Sequence, residues 1–89
     1  MPDGASARAV MPPSDEEIEA ELLRLARTRR ATFCPSEAAR GLAEDWRPLM
    51  GPVRATASRL VSDGRLRATR KGEPVDPATA RGPIRLGAS

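Results

Sequence analysis

The chain has 89 residues, a net charge of +3, a single cysteine and no histidine. That length makes one small domain and leaves no room for a deep substrate cleft beside a core. Without histidine the commonest general base and metal ligand are gone, and Cys34 has neither a second thiol nor an imidazole to activate it, so no catalytic, metal or cofactor chemistry is expected.

Residues 1–13 (MPDGASARAVMPP) are rich in Pro, Ala and Gly without apolar periodicity, which predicts a flexible arm ahead of a domain over residues 14–87. The first helix is predicted over Ser14–Arg29. Ser14 and Glu17 have capping-box spacing, and Asp15, Glu16 and Glu17 suit the positive end of the dipole. Arg27, Arg29 and Arg30 suit the other end. Ile18, Leu22, Leu25 and Ala26 recur at helical spacing as one buried stripe. Thr32-Phe33-Cys34 reads as a short extended stretch, because the residue before Pro35 is pushed out of the α region. Phe33 is expected in the core. Pro35 opens a second helix with Ala38, Ala39 and Leu42 as its apolar face, ending near Gly41–Ala43.

Glu44 and Asp45 form the connecting turn. The third helix is placed at about Arg47 to Asp63. Trp46, Leu49, Met50, Val53, Ala57, Leu60 and Val61 fall on one side of its wheel. Arg47, Arg54, Ala55, Ser58, Arg59 and Ser62 fall on the other side or along the margins. Pro52 would break a helix interior, so residues 46–50 can also form a separate turn, with the main helix starting near Gly51 or Pro52. Gly64 suits a left-handed stop. Arg65–Lys71 alternates, with Leu66 and Ala68 facing one way and Arg65, Arg67 and Thr69 the other; Pro83–Leu86 alternates around Arg85. The two runs predict an antiparallel hairpin with a long tip over Glu73–Gly82. The fold class expected is mainly α with a small β-hairpin, a winged helix-turn-helix of three helices and a two- or three-stranded wing sheet.

Charge is sorted along the chain. Residues 1–45 carry six Lys/Arg against nine Asp/Glu, a net −3, while residues 46–89 carry nine against three, a net +6. Fourteen of the fifteen basic residues are Arg, a bias that GC-rich codons produce unaided, so the placement argues more than the total. A basic helix followed by a basic hairpin fits a polyanion. Arg can pair with guanine in a major groove and Ser with several bases. Arg54, Ser58, Arg59 and Ser62, with Arg47 at the start of the helix, are the expected groove-facing set. Arg65, Arg67, Arg70, Lys71, Arg81 and Arg85 are the expected phosphate contacts. About five such contacts predict a slope of log K against log[salt] near −4.5. Arg54 and Arg59 are expected to set sequence preference, and Arg67 and Arg85 to support binding uniformly. With only Phe33 and Trp46 as aromatics, single-strand stacking is not expected.

Three strings carry a family resemblance. They are Cys34-Pro35-Ser36-Glu37-Ala38-Ala39-Arg40; Asp45-Trp46-Arg47 with Leu49-Met50, Val53-Arg54 and Leu60 after it; and Lys71-Gly72 with Val75-Asp76-Pro77-Ala78-Thr79, then Arg81-Gly82-Pro83-Ile84-Arg85-Leu86. Spanning about residues 16–86, they resemble a small bacterial family of uncharacterised winged-helix proteins, a domain of unknown function. The resemblance implies three helices, a short first strand and a two-stranded wing, and supplies no catalytic or binding residues. Asp76 before Pro77 looks like a cap for one helical turn, and could tether Arg81 or Arg85.

The expected partner is therefore double-stranded DNA, with α-helical readout and a basic wing. The alternative is a winged-helix protein–protein interaction module without DNA binding. No enzyme activity is expected. No apolar run is long enough to span a membrane, the N-terminus lacks an apolar signal region, and the single cysteine fits a reducing compartment, so the expected location is cytoplasmic. No extra dimerisation helix stands out, which predicts a monomer or weak homodimer.

Overall fold

The computed structural model describes residues 13–29 and 31–89. The expected flexible arm lies outside the described residues except for Pro13, as does Arg30.

Helix α1 runs Asp15–Thr28 and starts on the expected capping box. The Ser14 N–H donates to Glu17 Oε1 at 2.8 Å, and the Glu17 N–H donates to Ser14 Oγ at 3.2 Å. Its Ile18, Leu22, Leu25 and Ala26 are all buried. Helix α2, Pro35–Leu42, begins with proline in the first turn, where its missing N–H costs nothing. Glu37 closes that turn by accepting the Cys34 N–H at 3.1 Å. Ala38 and Ala39 are fully buried, and α2 packs on both other helices through these small side chains.

A 3₁₀ turn, Arg47–Leu49, leads directly into α3, Met50–Ser62. The expected single helix from Arg47 is thus divided. Pro52 falls in the first turn of α3, where no intrahelical partner for its nitrogen is needed; its ring would clash with an α-helical carbonyl four residues back, and the 3₁₀ turn avoids this. At the other end Gly64 sits at φ +76°. The Gly64 N–H donates to Val61 O at 3.0 Å and the Arg65 N–H to Leu60 O at 2.9 Å, a Schellman closure.

That closure removes Arg65 from the strand expected to include it. Strand β1 is Leu66–Arg70, followed by β2, Glu73–Pro74, and β3, Arg85–Ala88. The sheet order is β2-β1-β3, antiparallel throughout. Lys71 (φ 53°) and Gly72 (φ 83°) make a two-residue turn with both residues left-handed, which fits the twist of a tight hairpin. The expected long tip is therefore a short hairpin to β2 plus a separate loop. Strand β3 starts at Arg85, two residues later than expected, because Pro83 has no N–H for a ladder. Beyond β3, Phe33 pairs with Leu86 through bonds of 2.8 and 2.7 Å, the short first strand that the family resemblance implied.

Leu66, Ala68, Ile84 and Leu86 face the helices and complete one core with Phe33, Leu49, Val53, Ala57 and Leu60. Trp46, Met50 and Val61 pack on its margin and are only half-buried. The architecture is mainly helical, three helices plus a three-stranded antiparallel sheet, in a winged-helix-like layout.

Candidate nucleic-acid interface

The loop between β2 and β3 folds back along one flank of α3. Asp76 organises it. Its Oδ1 accepts the Ala78 N–H at 3.0 Å, and its backbone oxygen accepts the Ala80 N–H at 2.8 Å, so Asp76 does cap a single turn. The same Oδ1 accepts the Ser58 hydroxyl at 2.6 Å. Four residues earlier on α3, Arg54 donates from Nη1 to Ala80 O at 2.7 Å and from Nη2 to Gly82 O at 3.0 Å. Arg54 thus grips the carbonyls on either side of Arg81 and turns that side chain outward. Asp76 reaches neither Arg81 nor Arg85 by a hydrogen bond or ion pair among the described residues. A shallow depression of about 340 Å³ lies between loop and helix, lined by Ser58, Val61, Ser62, Pro74, Val75 and Asp76.

The opposite flank of α3 faces α1. Glu19 there receives Arg59 at 2.5 Å and Arg65 at 3.0 Å, and Arg59 also lies 3.7 Å from Asp63. The carboxyl of Glu19 is held below its ordinary range, chiefly by the hydrogen bond from Arg59 and then by the two positive charges, with desolvation acting against them. Asp76 is likewise held low, by the Ser58 hydroxyl first and the Ala78 N–H second. Between the two flanks, the outermost ridge of α3 is Gly51, Ala55 and Ser62, all exposed and small.

On the sheet, Arg67 is exposed opposite Gly87, and Thr69 is opposite Arg85. Arg85 donates from Nε to Thr32 Oγ1 at 2.9 Å and from Nη2 to Thr32 O at 2.7 Å, and its Nη1 lies 2.8 Å from Cys34 Sγ. It is a clasp on the short first strand. Arg70 extends from the end of β1 with its guanidinium against Gly82. Lys71 occupies the hairpin turn and Arg81 the loop, both exposed.

The eleven expected contact residues therefore divide. Arg54, Ser58, Arg59, Arg65 and Arg85 have internal partners. The side chains of Arg67, Arg70, Lys71 and Arg81 form no hydrogen bond or ion pair among the described residues. Ser62 borders the depression. Arg47 stacks on Trp46 with its guanidinium carbon 4.9 Å from the ring centroid, and Arg40 does the same at 4.7 Å. Sequence reasoning passed over Arg40, which only the fold brings to the indole, and Glu19, whose helix-surface position gave no sign of two arginine partners.

Among the described residues, no group of three or more Cys, Asp or Glu side chains is placed to hold a metal ion, and no helix is long and apolar enough to cross a membrane. No curated protein matches the chain. The family model described as "Protein of unknown function (DUF3253)" matches residues 15–89, every described element of the fold, and the chain belongs to that family.

Proposed function

We propose that this chain binds double-stranded DNA, with α3 against the major groove and the wing on neighbouring phosphates. One observation carries the reading. Five ion pairs form among the described residues, and none takes a cation from Arg67–Arg85. The fold neutralises arginines facing α1 and leaves those of the wing uncompensated. Arg67 projects from the outer face of β1; Arg70, three residues on, projects from the other face beside Gly82, with Lys71 in the adjoining turn and Arg81 in the loop, and a phosphate backbone supplies the counter-charge that the fold does not.

The internal partners of Arg54 and Arg59 change the roles expected of them. Their donors are engaged, so they act as braces, and the small ridge of α3 offers little for pairing with bases. Binding is then dominated by phosphate contacts and discriminates weakly between sequences.

The test is fluorescence anisotropy of a labelled random duplex across a salt series. Four wing contacts, from Arg67, Arg70, Lys71 and Arg81, predict a slope near −3.6, falling by about 0.9 in Arg67→Gln and again in Arg67→Gln/Arg70→Gln. Absence of binding at about 50 mM salt, or a slope the double variant leaves unchanged, sinks the proposal. The second reading, a protein-docking module, draws on the depression beside α3, whose Val61, Val75 and Pro74 offer an apolar seat. A partner retained after nuclease treatment and lost in Val75→Asp would favour it.

A further inference from the structure

The corner between α2 and α3 holds one indole and two arginines. The guanidinium carbons of Arg40 and Arg47 lie 4.7 and 4.9 Å from the Trp46 ring centroid, so the two charges are within about 10 Å of each other. Both arginines are exposed, while Trp46 is half-buried and packed on the core. Stacking uses the face of a guanidinium and leaves its N–H edge free. That separates this pair from Arg54, Arg59, Arg65 and Arg85, which spend N–H donors on internal acceptors. Glu44 and Asp45 sit in the same turn, yet neither pairs with either arginine among the described residues. A ring fixed on the core also holds two long side chains in place before any ligand arrives, which lowers the ordering cost of binding.

We propose that Arg40, Trp46 and Arg47 form a second anchor for the nucleic-acid backbone, each guanidinium edge taking one phosphate. The proposal rests on the DNA-binding reading and extends the footprint from the wing to the α2–α3 corner. B-DNA presents a phosphate every 3.4 Å or so of rise along each strand, so a pair of guanidinium edges within about 10 Å of each other has neighbouring phosphates of one strand in reach. Two added contacts raise the expected wild-type slope from about −3.6 to about −5.4.

Trp46 is the only tryptophan and the chain has no tyrosine, so intrinsic emission reports on this corner alone. The experiment titrates a short unlabelled duplex against that emission. In parallel it measures anisotropy salt series for wild type, Arg40→Gln, Arg47→Gln and, as a wing control, Arg67→Gln. The expected result is an emission change on the same isotherm as the anisotropy, with each corner variant losing about 0.9 in slope and about eightfold in affinity at roughly 0.1 M salt. Both corner residues are exposed, so circular dichroism should show the wild-type fold in each variant. Wild-type affinity and slope in both corner variants overturn the anchor, whatever the emission does, and leave the wing reading standing. No binding by the wild type at about 50 mM salt overturns both.

Discussion

Replacing Arg54 with methionine keeps most of its aliphatic stem and removes the guanidinium that ties α3 to the loop. Two hydrogen bonds are lost, at 2.7 Å to Ala80 O and 3.0 Å to Gly82 O. A charged donor contributes about 1.5–3 kcal/mol to a buried acceptor. The first bond is only partly buried and the second is exposed, so the lower limit applies to one and about 0.5 kcal/mol to the other. The expected loss is about 2 kcal/mol, or roughly 8–16 °C in Tm for a domain of this size. Arg54→Lys keeps the charge but reaches only one carbonyl, and should lose about half as much. Thermal melting followed by circular dichroism gives the global figure. Amide exchange gives the local one: Ala78 and Ala80, whose N–H groups are bonded within the loop, should exchange faster, and the core amides of α1 should speed up only as far as the global loss requires. A Tm within about 2 °C of wild type, with exchange at Ala78 and Ala80 unchanged, would refute the brace. If duplex affinity fell while both of those stayed constant, Arg54 would be touching the nucleic acid itself.

Acid should loosen the contact between α1 and α3. Because Glu19 is held below its ordinary value of 4.5 in the fold, its contribution is complete above that value and is lost as pH falls through the lower, folded one. Wild type should keep a flat Tm above about pH 5 and lose stability below 4.5, whereas Glu19→Gln should start lower at neutral pH and show a shallower acid limb; parallel limbs in the two proteins would remove Glu19 from the account. Phe33 is 0% exposed and its backbone pairs with Leu86, so Phe33→Ala should cost about 3–5 kcal/mol and Phe33→Leu about 1 kcal/mol or less. Urea denaturation would check this, and equal midpoints for the two variants would mean that ring volume is not what holds the short strand.

Elements that local chemistry specifies were legible in the chain. The Ser14/Glu17 pair gives the start of α1, Gly64 the end of α3, and the alternation of Leu66, Ala68, Ile84 and Leu86 the buried face of the sheet. Strand β2 was not, since two residues show no periodicity and Pro74 speaks against a strand. The candidate interface was legible as charge but not as geometry. Arg54 finds its acceptors 26 and 28 residues away, and Arg85 its own 53 residues away. Most of these acceptors are backbone carbonyls, which every residue carries, so no residue type marks them. A helical wheel sorts Arg54, Ser58 and Arg59 to the polar side and has no means of saying that a loop and α1 already occupy the two flanks.

The outer rows of the sheet restrict how copies of this molecule can meet. On one side the last row is Glu73–Pro74, two residues long, with a charge and a nitrogen that cannot donate. On the other it is Phe33 alone, closed off two residues later by Pro35. Neither row offers a third consecutive backbone group to an incoming strand. Among the described residues, these two short rows cover the middle of the sheet's edges, where edge-to-edge extension, the usual route from a small β-element to fibrillar association, would start.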